Sequence, residues 1–196
     1  MITLFHSPKT RSSRFIFLLE ELGAPYEIHR IARGEGVVGK EPANPHPHGK
    51  VPAISDDGEV VFESSAIALY LTDKYPQSGL GPAVGEAKRG AYLTWLAYYC
   101  GVLEPAWMMK FVQVELPKTS PGWPPVEEAM AFTTKTLEAG PYLLGDTFSA
   151  ADILVGTTFA MFMGGAMLPK TPLLEAYVER VVGRPAYARA AAKDEA

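Results

Sequence analysis

The 196-residue sequence contains little cysteine and no long apolar run. Its one cysteine, Cys100, excludes an intramolecular disulfide and fits a reducing compartment. No stretch approaches the ~20 consecutive apolar residues that a membrane-spanning helix needs. The N-terminal run Met1–Phe5 is too short for the apolar part of a signal peptide and has no charged residues before it. We therefore expect a soluble, cytoplasmic protein with no membrane partner.

The sequence also lacks an excess of positive charge. Lysine and arginine total 18 against 22 acidic residues, which gives a net charge of −4, so nothing favours binding to a nucleic acid. Hydrophobic residues make up 47% and charged residues 20% of the chain, as in an ordinary globular protein. This length allows one large or two small domains.

A metal site is not expected either. The one close pair of potential ligands is His46 and His48, and no cysteine or glutamate accompanies it at helical spacing. The sequence therefore implies no metal.

The first third of the chain alternates strand and helix patterns. Ile2–His6 is a short β-rich run, and a helix from Arg14 should end at Gly23. Tyr26–Ile31 alternates and predicts a second strand, parallel to the first because a helix lies between them. Residues 33–49 are rich in glycine, proline and histidine and predict no clear element.

The stretch from Gly49 to Ile67 is the most informative. Val51-Pro52 precedes a short apolar run, where proline fits a strand start. Short strands near Ala53-Ile54 and Val60–Phe62 flank Asp57-Gly58, which is typical of a type I′ hairpin. If the Val51-Pro52 bond is cis, the Val51 backbone can pair with another backbone.

Ser64 or Ser65 should then begin a helix. A helix N-terminus with a hydroxyl favours a carboxylate, and Glu63 beside it favours an ammonium group. The ligand should therefore combine an amide backbone, a carboxylate and an amine.

This stretch resembles the glutathione-binding half of the soluble glutathione S-transferases, in a bacterial-like form, and the resemblance covers nearly the whole chain. It implies a thioredoxin-like domain with Pro52 as its cis-proline. Val51 would pair with the cysteinyl backbone of glutathione, and Glu63 and Ser64 would hold the γ-glutamyl end. It also implies a homodimer.

The rest of the chain predicts only helices. Pro76 to Gly85 reads as a linker, followed by a long helix from Glu86 to about Glu115 and another at Val126–Glu138. Ser149 and Asp152 form a capping box. We predict a thioredoxin-like α/β domain (βαβαββα) at residues 1–76, a linker at 77–85, and an all-α domain at 86–196 with the electrophile site and dimer contacts.

The turn from Ser7 to Arg14 is where a thiol would be activated, because it combines hydroxyls and positive charges before a helix N-terminus. Family members use tyrosine, serine or cysteine here. This turn has neither tyrosine nor cysteine, so the disulfide-exchanging members are poor guides. Ser12 is the first candidate to donate to the sulfur and Thr10 the second, while Arg11 could act by charge.

Other residues complete the expected site. Lys50, or less favourably Lys40, could contact the glycyl carboxylate of glutathione. Trp95, Tyr99 and Trp107 could form the wall of an electrophile pocket. Structural readings stay open: the serines as plain N-caps, Glu63 as a first-turn acid, Lys50 as a surface residue.

The expected function is that of an enzyme of detoxification, a glutathione transferase that joins the glutathione thiolate to a small apolar electrophile, with glutathione as co-substrate and no metal. A glutathione-dependent isomerase or dehalogenase would use the same thiolate. A non-catalytic binding or scaffold module is the alternative from another class, although such a module has no need of γ-glutamyl ligands.

Overall fold

The computed structural model describes residues 1–34, 37–38, 41–114, 122–165 and 168–195. The chain forms two compact units, one made of Met1–Gly81 with Gly183–Ala196, the other of Pro82–Val182. The predicted boundaries, 1–76 and 86–196, differ from this division at the C-terminus. The last helix, which falls within Gly183–Ala196, packs within the first unit.

The first unit is built on a four-stranded sheet in the order β2-β1-β5-β6. These strands are β1 (Ile2–His6), β2 (Tyr26–Arg30), β5 (Ala53–Asp56) and β6 (Glu59–Phe62). β1 and β2 are parallel, whereas β5 is antiparallel to both β1 and β6. Asp57 and Gly58 have φ values of +49° and +93°, as a type I′ hairpin turn requires.

Two helices flank the sheet, α1 (Ser13–Leu22) and α2 (Ser64–Lys74). The apolar side of α1 is fully buried, and Gly23 ends the helix with a φ of +61°, a backbone conformation that glycine adopts without steric cost. The predicted strand–helix–strand start and the thioredoxin-like class are confirmed.

The second helix of the predicted βαβαββα order is not found among the described residues between β2 and β5. This part instead contains the short ribbon of β3 (Arg33–Gly34) and β4 (Val37–Val38), followed by turns. Pro42, Pro45 and Pro47 explain the turns, since proline interrupts a helix by removing donors and clashing with the preceding turn. Lys40 lies outside the described residues.

The C-terminal helix α8 (Pro185–Glu195) packs on α1. Arg184 donates to both carboxylate oxygens of Glu21, at 2.6 and 2.9 Å. Glu20 accepts from Arg189 at 2.7 Å, from Lys193 at 2.5 Å and from the Tyr26 hydroxyl at 2.7 Å. These ion pairs between α1 and α8, called the ionic seam below, hold the last turn of α8 against the rest of the first unit.

The second unit is helical throughout its regular elements. It contains α3 (Arg89–Tyr98), α4 (Glu104–Phe111), α5 (Val126–Glu138), α6 (Ala150–Phe162) and α7 (Pro172–Val182). A Cβ at Gly156 would lie 2.8 Å from a methyl group of Val181. Only glycine therefore lets α6 and α7 approach this closely. No helix in the described ranges is both long and apolar enough to cross a bilayer.

The predicted long helix after Glu86 is interrupted in its middle. A π-helical segment, Tyr99–Leu103, separates α3 from α4. Pro105 lacks the N–H that would bond to the Gly101 carbonyl, and the Trp123 indole N–H donates to that carbonyl at 2.8 Å instead. The predicted end near Glu115 falls outside the described residues.

The predicted capping box at the start of α6 is confirmed, with both reciprocal hydrogen bonds present. Asp152 is completely buried and also accepts from the Leu143 N–H at 2.9 Å and the Tyr177 hydroxyl at 3.1 Å. Burial raises the pKa of Asp152 to about 6, even though these hydrogen bonds act in the opposite direction.

We predict a pH-dependent stability difference for Glu20→Gln. Burial would raise the pKa of Glu20, but hydrogen bonds from Lys193, Arg189 and Tyr26 lower it to about 2, from an ordinary value of 4.5. A depressed pKa contributes stability above the unfolded-state pKa and loses it as the pH falls through the folded-state pKa. Glu20→Gln should therefore be less stable than wild type at neutral pH, and the two should converge between about pH 4.5 and pH 2.

Urea denaturation across this pH range measures the difference. Glu138→Gln, at an exposed position on α5, is the control and should follow wild type throughout. A Glu20→Gln deficit that persists undiminished at the acid end would contradict the assignment.

Candidate functional site

The strand register places three predicted site segments side by side at one end of the neighbouring strands β1, β5 and β6. Phe5 pairs with Ala53, and Ala53 pairs with Phe62. The next residue beyond each of these pairs is His6 on β1, Pro52 before β5 and Glu63 after β6. These three residues form a row across the strand ends. With neighbouring strands ~4.8 Å apart, the row is about 10 Å long.

The centre of this row is the Val51-Pro52 bond, which is cis. Pro52 is buried and Val51 half-buried, directly before β5. The Lys50 side chain is exposed, and its carbonyl accepts from the Asn44 amide at 3.1 Å. This hydrogen bond fixes the chain just before Val51.

One end of the row is the start of α2. Glu63 is exposed and Ser64 is buried as the first helical residue. No side chain caps this helix, so its first N–H groups can donate to an anionic ligand. Glu63 has a φ of +71° and a ψ of 128°, a region that costs a non-glycine residue about 1–3 kcal/mol. Backbone strain of this kind is concentrated at functional positions, so Glu63 is a candidate for one.

The other end of the row is the turn between β1 and α1, which a single buried hydroxyl organises. The Ser12 Oγ lies 2.8 Å from His6 Nδ1 and 2.7 Å from Thr10 Oγ1. It also accepts from the Ser7 N–H at 3.1 Å. Ser12 has no exposed surface.

The Ser12 hydroxyl is enclosed and used by its neighbours in this conformation, a geometry that disfavours the prediction that Ser12 itself donates to a thiol. Thr10, the second candidate, is half-buried, and its hydroxyl also bonds to the Ser7 carbonyl at 2.7 Å. Arg11 is exposed beside it. Of the three thiol-side candidates, Thr10 and Arg11 are the two that keep exposed surface.

His6, at the end of β1, is the buried partner of Ser12. Its ring is fully buried, with Nε2 3.4 Å from the backbone carbonyl of Asp194 and 3.3 Å from the Asp194 Oδ1. Burial lowers the His6 pKa, and Arg30 acts in the same direction, while Asp194 opposes them. His6 is therefore neutral at pH 7.

No local sequence pattern points to Asp194, because it lies 188 residues from His6. The ionic seam between α1 and α8 brings it there. The Lys9 N–H donates to Asp194 Oδ2 at 3.1 Å, and Arg30 donates to the carbonyls of Asp194 and Lys193 at 3.1 and 2.7 Å. The C-terminal turn thus contacts both the turn after β1, at Lys9, and the end of β2, at Arg30.

A cleft of about 600 Å³ opens where β1 and β2 end. None of the predicted glutathione ligands lines it. Its walls are Ser7, Pro8, Lys9, Arg30, Ile31, Ala32 and Glu195.

The proposed electrophile-pocket residues lie in the core of the second unit. Trp95, Tyr99 and Trp107 are at most 4% exposed. Trp95 stacks on Phe132, and the Tyr99 hydroxyl bonds to Thr158 at 2.9 Å. These three side chains pack within their own unit in this conformation, so their place in an electrophile pocket stays a prediction.

The histidine pair has a structural explanation. His46 Nδ1 accepts from the His48 N–H at 3.1 Å, and the His46 ring packs against Phe62. Within the part of the chain that the structure describes, no group of three or more histidine, cysteine or acidic residues is placed to bind a metal ion.

Comparison with known proteins agrees with this arrangement. The family profile described as glutathione S-transferase, N-terminal domain, matches residues 10–74, and the C-terminal domain profile matches residues 123–185. The chain belongs to the glutathione S-transferase family. Glutathione is the co-substrate of this family.

One curated relative matches nearly the whole chain, and another matches about half of it. The disulfide-bond oxidoreductase YfcG of Escherichia coli is 30% identical over 98% of this chain and 95% of its own length. Glutathione S-transferase 3 of Schizosaccharomyces pombe is 35% identical, but over 54% of this chain and 43% of its own length.

Solved structures show the same fold. A glutathione transferase from Methylococcus capsulatus has 29% identity and a TM-score of 0.80, covering 100% of this chain and 99% of that one. A sphingomonad glutathione S-transferase complexed with glutathione has 29% identity and a TM-score of 0.76, covering 98% of each chain.

We predict that Ser12→Ala destabilises the transferase more than Ser13→Ala does. Removing the buried Ser12 hydroxyl leaves the Ser7 N–H and His6 Nδ1 without that partner, at a cost of about 1–3 kcal/mol in unfolding free energy. Ser13 is half-buried and accepts one long hydrogen bond, from the Thr10 N–H at 3.3 Å. Chemical denaturation of both variants checks this. Equal stability of the two variants would contradict the proposed role of the Ser12 hydroxyl.

Proposed function

We propose that the transferase binds glutathione along the His6–Pro52–Glu63 row and transfers its thiolate to a small apolar electrophile. The observation that carries this proposal is the chemistry of the row, which combines an uncapped helix start beside Glu63, the cis Val51-Pro52 segment and a turn with hydroxyls and positive charge. The γ-glutamyl residue fits one end of the row and the cysteinyl backbone fits its centre, so that the thiol reaches the Ser7–Arg14 turn at the other end.

The two charged groups of the γ-glutamyl end fit the start of α2. Its carboxylate can accept from the Ser64 hydroxyl and the free helical N–H groups, while Glu63 accepts from its ammonium group. The cysteinyl backbone pairs with Val51. The exposed Lys50 is placed on the same segment for the glycyl carboxylate.

The thiol then faces the turn between β1 and α1. A free thiol has a pKa of about 8.5, and hydrogen-bond donors or positive charge lower it. Thr10 supplies the hydroxyl and Arg11 the charge. Each unit by which the thiol pKa falls corresponds to about 1.36 kcal/mol of stabilisation of the thiolate.

A scaffold without ligand binding is disfavoured by Glu63. Its strained backbone and exposed carboxylate serve no packing purpose in the described structure. Isomerisation or dehalogenation would use the same thiolate and differ only in the electrophile. A cytoplasmic homodimer that detoxifies apolar compounds is part of the same proposal.

A second candidate function is glutathione-dependent disulfide reduction. The E. coli relative, matched over nearly its whole length, is named a disulfide-bond oxidoreductase. Cys100 is the one cysteine of the chain. It lies in π-helical backbone of the second unit, whereas the proposed glutathione-binding residues belong to the first. Glutathione itself would therefore supply the sulfur chemistry. Its thiolate attacks the disulfide and releases one thiol. A second glutathione then resolves the mixed disulfide, which yields oxidised glutathione and the other thiol.

We expect Glu63→Gly to weaken glutathione binding without loss of stability. Glycine accepts the positive φ, so the fold keeps or gains stability, whereas losing a hydrogen bond to a charged group costs about 1.5–3 kcal/mol. The dissociation constant measured by calorimetry should rise about tenfold or more.

Asp57→Gly is the matched control. Asp57 is also exposed with a positive φ, +49°, but lies at the opposite end of the hairpin. Its dissociation constant should equal that of wild type. Unchanged glutathione affinity in Glu63→Gly would contradict the binding mode.

Turnover assays separate the two reactions. We expect the wild-type protein to conjugate glutathione to 1-chloro-2,4-dinitrobenzene, followed by absorbance of the thioether. Reduction of hydroxyethyl disulfide, with no conjugation to this or other apolar electrophiles, would assign the second candidate. Glutathione binding with neither reaction would support a binding module and overturn both enzymatic proposals.

A further inference from the structure

A continuous chain of polar atoms leads from the surface of the first unit into its core. Thr10 Oγ1 lies 2.7 Å from Ser12 Oγ, and Ser12 Oγ lies 2.8 Å from His6 Nδ1. On the far side of the ring, His6 Nε2 lies 3.3 Å from Asp194 Oδ1. The proposed binding of glutathione uses only the outer end of this chain, Thr10.

The direction of each hydrogen in this chain follows from its partners. The backbone carbonyl of Asp194 can only accept, so His6 Nε2 carries the hydrogen. In the neutral ring Nδ1 is then a bare acceptor, and the Ser12 hydroxyl donates to it. The Thr10 Oγ1 lies 2.7 Å from both the Ser7 carbonyl, to which its hydroxyl donates in the resting structure, and the Ser12 Oγ. The Ser7 carbonyl also lies 3.2 Å from the Ser12 Oγ, farther than His6 Nδ1 does. Rotation of the Thr10 hydroxyl from the Ser7 carbonyl to the Ser12 Oγ makes both hydroxyls point inward, towards His6.

We propose that His6 accepts the proton of the bound glutathione thiol through Thr10 and Ser12. The inference rests on the proposed function, which places the sulfur beside Thr10. The thiol proton passes to Thr10 Oγ1 as the Thr10 proton passes to Ser12 Oγ and the Ser12 proton passes to His6 Nδ1. The products are a thiolate and a His6 imidazolium, so mass and charge balance.

Asp194 is placed to stabilise the positive ring that forms. Its Oδ1 is buried and, within the described residues, has no hydrogen-bond partner. A carboxylate oxygen in that position gains an ion pair when His6 becomes charged. The charged groups acting on His6 are Asp194 from α8, which favours the imidazolium, and Arg30 from β2, which disfavours it. The arrangement resembles a serine–histidine–aspartate triad, extended by one hydroxyl towards the ligand.

The protonation of His6 can be observed directly. The imidazole nitrogens of ¹⁵N-histidine-labelled protein should report a bare Nδ1 and a protonated Nε2 in the free protein at neutral pH. When saturating glutathione is added and its thiol ionises, both nitrogens should become protonated. A ring that stays neutral while the bound thiol is ionised would overturn the relay.

Asp194→Asn tests the relay by function. An asparagine amide can donate to Nε2 and favour the tautomer that cannot accept from Ser12. We expect the bound-thiol pKa, read from thiolate absorbance, to rise by about one unit and kcat at neutral pH to fall about tenfold. The glutathione dissociation constant should stay close to that of wild type.

Glu195→Gln is the matched control. Glu195 is the next residue of the same turn and pairs with Lys9 at 2.9 Å. Its replacement should leave the bound-thiol pKa and kcat unchanged. Equal effects of both variants would indicate a structural role for the C-terminal turn and overturn the relay. A wild-type protein that does not bind glutathione would instead overturn the proposed function.

Discussion

One buried hydroxyl, that of Ser12, determines the shape of the candidate site. It ties the end of β1, the following turn and the start of α1 together by accepting from the Ser7 N–H and contacting His6 and Thr10. Without this common partner, the backbone of Ser7 and the ring of His6 would be left buried with unpaired polar atoms, which proteins avoid. The position of Thr10 follows from this constraint.

The sheet register then converts this local arrangement into a site. Because β5 pairs with both β1 and β6, the Ser12-centred turn, the Val51-Pro52 segment and the start of α2 lie in one row. The spacing of strands sets the length of the row, and a free helix N-terminus with Glu63 sets its charge pattern. Together the three segments match the extended peptide with charged ends that we propose as the ligand.

Local patterns in the sequence were sufficient for most of the first unit and for part of the site. The hairpin at Asp57-Gly58 and the helix beginning at Ser64 each depend on neighbouring residues, so they could be predicted. The role of Ser12 could not, because its burial depends on His6 and on packing around both. Asp194 was beyond prediction since its contact with His6 requires α8 to pack on α1. The sequence could not decide the role of Trp95, Tyr99 and Trp107, because an apolar stripe does not distinguish a core from a pocket.

The central claim is that glutathione lies along the row from the Ser12-centred turn to the start of α2. Titration of ¹⁵N-labelled protein with reduced glutathione, followed by amide chemical shifts, tests it most directly. The account predicts saturable shifts at Val51, at Ser64 and in the Ser7–Arg14 turn, with the amides at Asp57-Gly58 unmoved. Saturable binding that leaves the amides of the row unmoved, or the absence of binding, would contradict it.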